Sequence, residues 1–136
     1  MRVFLDTNVI VGAVAARGLC ADVVREVLAR HELVISRALL EEVASVLSGK
    51  IGVPASLISD MTSMLRDGAQ MAVPGESAGL PVGDQADRVL VSAALNGNAS
   101  VFVTGDAELL ACREIGPMAV VSPRGFWERV KSAPRS

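Results

Sequence analysis

The chain has 136 residues, of which 51% are hydrophobic and 21% are charged, and its net charge is −2. This composition supplies one hydrophobic core and excludes a disordered chain, so we expect a single domain over residues 1–136. The acidic balance does not favour a nucleic-acid surface, and three Phe, one Trp and no Tyr exclude recognition by extensive base stacking.

Short apolar runs predict five β-strands, each followed by polar or turn-forming residues. Because these runs are uninterrupted rather than alternating, they indicate strands that are buried on both faces of a parallel sheet. In chain order, the predicted strands are residues 3–5, 33–35, 71–73, 101–103 and 119–121.

Between the strands, apolar residues recur at helical spacing. The helix that opens at Pro54 is predicted to bury five side chains, Leu57, Ile58, Met61, Met64 and Leu65. The alternation of strands and helices predicts an α/β fold with a five-stranded parallel sheet between two helical layers. The predicted helices cover residues 8–16, 21–29, 36–49, 54–68, 84–95, 108–113 and 126–131.

Three further features bear on location. No apolar run reaches the ~18 residues that a membrane-spanning helix needs, and the first residues become acidic too soon for a signal peptide. Cys20 and Cys112 lie far apart without partners at metal-ligand spacing, so free thiols are expected. We therefore expect a cytoplasmic protein without a membrane segment.

Two acids follow predicted strands. Asp6 comes directly after the first strand, and Asp106 follows the fourth strand by two residues. Because ligand sites in parallel sheets form beyond the carboxyl ends of the strands, both carboxylates are candidates for one crevice. Each also has a purely structural interpretation, since Asp favours turns and helix caps.

Two acids in predicted helices join this candidate site. Glu42 lies beside the apolar stripe of the helix that follows the second strand, whereas Glu41 lies farther round, so Glu42 is favoured. Asp87 lies in the first turn of the helix opened by Asp84, and the two acids also fit a capping box.

Four converging carboxylates would repel one another, since two like charges ~4 Å apart cost about 4 kcal/mol at an effective dielectric of ~20. Oxygen ligands of this kind suit Mg²⁺ or Mn²⁺, which activate water and neutralise charge on a phosphate. Thr7, Asn8 and Thr104 are expected to orient the carboxylates. Five basic residues are candidates for contacts with RNA phosphates, but they are scattered along the chain and the sequence favours none of them. They are Arg17, Arg37, Lys50, Arg88 and Arg124.

The motifs resemble those of the PIN-domain family, and within it the bacterial toxin-like (VapC-type) PIN ribonucleases. The resemblance rests on Leu5-Asp6-Thr7-Asn8, on Glu42 in its helix, on Asp84-Gln85-Ala86-Asp87 and on Thr104-Gly105-Asp106, and it covers nearly the whole chain. One departure is Ala86, where relatives often carry another acid. The resemblance implies cleavage of single-stranded RNA with Mg²⁺ or Mn²⁺, a homodimer and an antitoxin partner.

Two alternatives belong to other functional classes. A PIN-like module that only binds RNA or protein would not need the four acids. A magnesium-dependent phosphoacceptor signalling domain would need paired acids after the first strand and a Lys after a late one. Here a single acid, Asp6, follows the first strand, and Ser122-Pro123 follows the last.

Overall fold

Six strands form one sheet in the computed structural model, which describes residues 1–132. The five predicted parallel strands are confirmed: β1 (Arg2–Leu5), β2 (Glu32–Ser36), β3 (Ala69–Ala72), β4 (Val101–Val103) and β6 (Met118–Val121). The short β5 (Glu114–Ile115) pairs antiparallel with β6 and was not predicted, because two residues carry no strand pattern. The predicted domain end at residue 136 lies outside the described residues.

The strand order is β3-β2-β1-β4-β6-β5. From β1 the chain builds outward to β3 on one side, and it then returns to β4 and builds to β6 on the other. The crevice between β1 and β4 is therefore the topological switch point, where ligands bind in open α/β sheets.

The seven predicted helices are also present. The third of them continues through a π-helical turn, Leu47–Ile51, which ends at Gly52 with a φ of 77°, a conformation that glycine adopts without strain. No single helix within residues 1–132 is long and apolar enough to cross a membrane. The helices are α1 (Thr7–Ala15), α2 (Leu19–Arg30), α3 (Arg37–Val46), α4 (Ala55–Asp67), α5 (Gln85–Asn96), α6 (Ala107–Cys112) and α7 (Pro123–Ser132).

The central strands fix the register on which the candidate site depends. Phe4 of β1 pairs with Phe102 of β4, and their fully buried rings stack with centroids 5.2 Å apart. A slip by one residue would turn these rings toward the opposite face of the sheet. This register places Asp6 beside Thr104 at the carboxyl edge, where the Asp6 N–H donates to the Val103 carbonyl oxygen at 2.9 Å.

The predicted inner face of α4 is partly wrong. Ile58 and Leu65 are buried and Met61 is half-buried, but Leu57 and Met64 are 57% and 56% exposed. α4 contacts β3, α3 and the π-helical turn, so only a narrow stripe of it meets the core. Apolar side chains on both sides of that stripe face solvent.

We expect Gly97→Ala to lower the free energy of unfolding by about 2 kcal/mol, as overpacking of a core does. A Cβ at this buried position would lie 2.8 Å from the Ala72 Cβ and 2.8 Å from the Val34 Cγ1. Urea denaturation measures the effect. In the matched control, Gly83→Ala, the new Cβ meets no described atom within 4 Å. Equal loss of stability in both variants would contradict the steric explanation.

Candidate functional site

Asp6 is the most enclosed acid of the predicted site, with only 5% of its surface exposed. It is the N-cap residue of α1, and its Oδ1 accepts a hydrogen bond from the Thr7 N–H at 2.8 Å. Its Oδ2 accepts a hydrogen bond from the Thr104 hydroxyl at 2.7 Å. Each oxygen is thus held by one protein donor and keeps a lone pair for a further partner.

Thr104 connects the ends of β1 and β4. Its fully buried hydroxyl donates to Asp6 and accepts a hydrogen bond from the Asp106 N–H at 3.0 Å. Because a hydroxyl has only one proton, this pattern fixes its direction toward the Asp6 carboxylate. Thr104 therefore sets the position of both acids.

Asp106 caps α6, as its structural interpretation predicted. Its Oδ1 accepts from the Glu108 N–H at 2.8 Å and the Leu109 N–H at 3.2 Å. Among the described residues, no hydrogen bond engages its Oδ2. The cap fixes the orientation of the half-buried carboxylate and leaves one oxygen for a ligand, so the capping role and the predicted site role are compatible.

Asp84 and Asp87 lie at the start of α5. The Asp84 Oδ1 accepts from the Asp87 N–H at 2.9 Å, which is one half of the capping box that the sequence allowed. The side chain of Asp87 does not complete the box by a hydrogen bond to another described residue. Asp84 is exposed and serves as the N-cap, whereas Asp87 is half-buried.

The charges of the four predicted acids act on one another. Desolvation by burial raises the pKa of Asp6, the two hydrogen bonds oppose that effect, and the charges of Glu42 and Asp106 raise the pKa further. Burial raises the pKa of Asp87 to about 6, with added repulsion from Asp84, Asp6, Asp106 and Glu42. These acids therefore share one electrostatic neighbourhood at the carboxyl edge.

Glu42 and Glu41 lie on different sides of α3. Glu42 is half-buried and its charge acts on Asp6 and Asp87, whereas Glu41 is exposed and lines a separate cavity beside β3. The helix thus directs Glu42 toward the other acids, on the side that the apolar stripe indicated.

The donor set suits a hard divalent cation, because it consists of carboxylate oxygens. A second observation agrees with a polar ligand here: the buried Thr7 hydroxyl, directly after Asp6, meets no hydrogen-bond partner among residues 1–132. Buried polar groups are rarely left unpaired. In the same part of the chain, however, no three Asp, Glu, His or Cys side chains stand close enough to ligate one ion as they are.

Two residues differ from their predicted surroundings. Asn8 is exposed on the first turn of α1 and makes no side-chain hydrogen bond with the described residues, so nothing in the structure connects it to the acids. Arg88 does not face solvent as a phosphate contact: its guanidinium donates to the carbonyl oxygens of Val82 at 3.0 Å and of Ser77. It holds the preceding loop against α5, a role that no spacing in the sequence signals.

The family follows from a comparison with known domains. Residues 2–108, which include all four acids, match the family model described as PIN domain. The chain belongs to the PIN-domain family. The match gives no support to the phosphoacceptor alternative, and no curated protein matches this PIN domain in sequence.

Solved structures similar to this PIN domain share its fold. One is VapBC2 from Rickettsia felis bound to a DNA fragment from their promoter, with 16% identity, a TM-score of 0.62 and coverage of 90% of this chain and 98% of that one. Another is VapBC-1 from nontypeable Haemophilus influenzae, with 21% identity, a TM-score of 0.60 and coverage of 91% and 99%. The likeness extends over nearly the whole length of each chain.

We expect Asp87→Asn to stabilise the metal-free PIN domain near neutral pH. The pKa of about 6 in the folded state exceeds the ordinary value of 3.8 for an Asp side chain, so the folded state binds the proton more tightly than the unfolded state. The free energy of unfolding therefore falls as pH rises from about 4 to about 6. Because water screens this half-exposed carboxylate, we expect a gain of only about 1 kcal/mol from its removal.

Urea denaturation in the presence of a chelator measures this gain at neutral pH and again near pH ~4, where it should vanish. Asp60→Asn, at an exposed position on α4, is the control and should leave stability unchanged. A variant at Asp87 that is less stable than the wild type at neutral pH would show that burial and repulsion do not penalise the charged carboxylate.

Proposed function

We propose that this PIN domain is a metal-dependent endoribonuclease that hydrolyses phosphodiester bonds of single-stranded RNA. Asp6, Glu42, Asp87 and Asp106 would hold Mg²⁺ or Mn²⁺ at the switch point of the sheet. The observation that carries the proposal is the buried, doubly hydrogen-bonded carboxylate of Asp6, on which the charges of Glu42 and Asp106 act.

When bound, the cation would neutralise charge on the scissile phosphate and lower the pKa of attacking water. The chain's own contribution is preorganisation. Thr7 and Thr104 orient the two oxygens of Asp6, and the cap of α6 orients Asp106. Groups fixed before the substrate arrives need no reorganisation during the reaction, which is where electrostatic catalysis gains its advantage.

The proposal extends to partners. Both solved structures described above are VapBC structures, and this supports a toxin of a toxin–antitoxin pair, with an antitoxin protein that blocks the site. We further propose that the protein acts as a homodimer in the cytoplasm, as the family resemblance implies.

One observation favours a second candidate, a module that binds RNA or protein without cleaving it. Within residues 1–132 the acids do not form a ready-made set of three ligands for one ion. Carboxylates that converge repel one another, and a bound cation would offset that repulsion. The two candidates differ in whether a cation draws the acids together.

Metal dependence of RNA cleavage distinguishes the two candidates. We expect purified protein to cut labelled single-stranded RNA when Mg²⁺ or Mn²⁺ is present and to lose at least ~100-fold in rate with excess chelator, since the cation carries much of the charge stabilisation. Restoring the metal should restore the rate, and single-stranded DNA of the same sequence is the comparison substrate. Cleavage that persists in chelator, or RNA binding without cleavage, would reject the proposal.

A further inference from the structure

A second feature of the carboxyl edge is a cavity beside β3 and α3. Its volume is about 600 Å³, within the range of ligand sites. The apolar part of its lining comes from the end of β3 and the residues that follow, including Met71, Val73 and Pro74, which are exposed. α3 and α4 supply two arginines and one glutamate.

The two arginines of the cavity make no polar side-chain contacts with the described residues. Arg37 is the first residue of α3 and Arg66 lies in the last turn of α4. Both are exposed, and neither makes an ion pair or a side-chain hydrogen bond with the described residues. By contrast, Arg88 on α5 is engaged by two carbonyl oxygens. The cavity therefore presents two unengaged guanidinium groups beside an apolar surface.

The cavity and the acidic site lie beside the same helix, α3. Arg37 and Glu41 are four residues apart and share one face of the helix. Ala38, which also lines the cavity, shares the adjacent face with Glu42. In the sheet, β3 lies two strands from β1, a separation of about 10 Å at a strand spacing of ~4.8 Å. A strand of RNA whose scissile phosphate meets Asp6 can therefore reach the cavity within a few nucleotides.

We propose that this cavity is a nucleotide subsite for the RNA segment that flanks the scissile bond. Arg37 and Arg66 would each contact a phosphate, and Met71, Val73 and Pro74 would pack against the base between them. The charge pattern favours a nucleic acid, because guanidinium groups bind phosphate and also stack on unpaired bases. Glu41 opposes this binding, since it places a negative charge in the same cavity. The inference rests on the proposed ribonuclease function.

Charge-changing variants test the subsite with effects of opposite sign. In the double variant Arg37→Gln/Arg66→Gln we expect KM for single-stranded RNA to rise about tenfold, with kcat within about twofold of the wild type. The slope of log(kcat/KM) against log salt should become shallower by about 1.4, since each phosphate contact on a single strand contributes about 0.7. Glu41→Gln should lower KM by about twofold or more, which loss of a merely structural contact would not do.

A control variant and a binding measurement distinguish failure of the subsite proposal from failure of the ribonuclease proposal. Arg129→Gln, at an exposed position on α7, is the matched control and should leave KM and the salt slope unchanged. Titration with the four nucleoside monophosphates, followed by amide NMR, should shift resonances around Met71 to Pro74 in the wild type and not in the double variant.

The outcomes are distinct. RNA cleavage with an unchanged KM in the double variant would overturn the subsite while leaving the nuclease intact. Nucleotide binding at the cavity without RNA cleavage would overturn the nuclease and support the subsite. Variants that alter the oligomeric state by light scattering, with KM unchanged, would show that the cavity is a protein interface and overturn the inference.

Discussion

Asp6→Asn should reduce RNA cleavage by about 10³-fold, on the scale of losing a preorganised electrostatic group from an active site. The substitution keeps the shape of the side chain, and the amide oxygen can still accept one of the two hydrogen bonds. What it removes is the negative charge at the centre of the acidic neighbourhood. We expect the loss in kcat rather than in KM, because the RNA contacts elsewhere are unchanged.

A binding readout accompanies the kinetics of this variant. A cation that binds only the folded state stabilises it by about 1.4 kcal/mol at ten times its Kd, so Mg²⁺ should raise the unfolding free energy of the wild type and not that of Asp6→Asn. Asp67→Asn, at an exposed position at the end of α4, is the control. Undiminished cleavage by a correctly folded Asp6→Asn variant would remove this residue from the mechanism.

The placement of the acids shows what a linear pattern can predict. Asp6 and Asp106 follow apolar runs, and in a parallel sheet the ends of such runs meet at one edge. Their proximity also requires that β1 and β4 are neighbours, which the sequence left open and the strand order shows. Glu42 followed from helical periodicity, because the apolar stripe of α3 fixes which side faces the sheet. Whether these residues ligate a metal stays a prediction.

Other features depend on contacts between distant segments and leave no local signal. Thr104 was expected to orient nearby acids, but its bond to Asp6 spans 98 residues and depends on the register of β1 and β4. Arg66 and Met71 meet Arg37 in the cavity only because α4 and β3 return to the start of α3. The exposed Leu57 and Met64 were misassigned because periodicity locates an apolar stripe without giving its width.

Thr104→Val removes one hydroxyl, and we expect it to lower both the stability of the protein and its activity. Valine replaces it almost without a change in volume, so packing against the fully buried surroundings is kept. The Asp6 carboxylate then loses its 2.7 Å donor and the Asp106 N–H loses its acceptor. Since a hydrogen bond to a buried charge contributes about 1.5–3 kcal/mol, we expect unfolding free energy to fall by about 2 kcal/mol near neutral pH.

The pH dependence of this loss identifies its cause. The Thr104 hydrogen bond lowers the pKa of Asp6 against the effect of burial, so its removal raises that pKa further and penalises the charged form. The stability deficit of Thr104→Val should therefore shrink in acid, where Asp6 is protonated. Thr104→Ser keeps the hydroxyl, so its stability should depend on pH as that of the wild type does. Its remaining loss of stability should be the smaller one caused by removing a buried methyl group.

RNA cleavage by the Thr104 variants shows whether the hydroxyl orients the acids or only stabilises the fold. With Asp6 and Asp106 less firmly held, RNA cleavage by Thr104→Val should fall 10- to 100-fold, as for loss of a residue that orients metal ligands, while Thr104→Ser stays within about tenfold of the wild type. Additional Mg²⁺ should recover part of the rate in the valine variant, because a bound cation itself favours the charged, converged carboxylates. A valine variant with full activity and a deficit independent of pH would show that the hydroxyl serves packing alone.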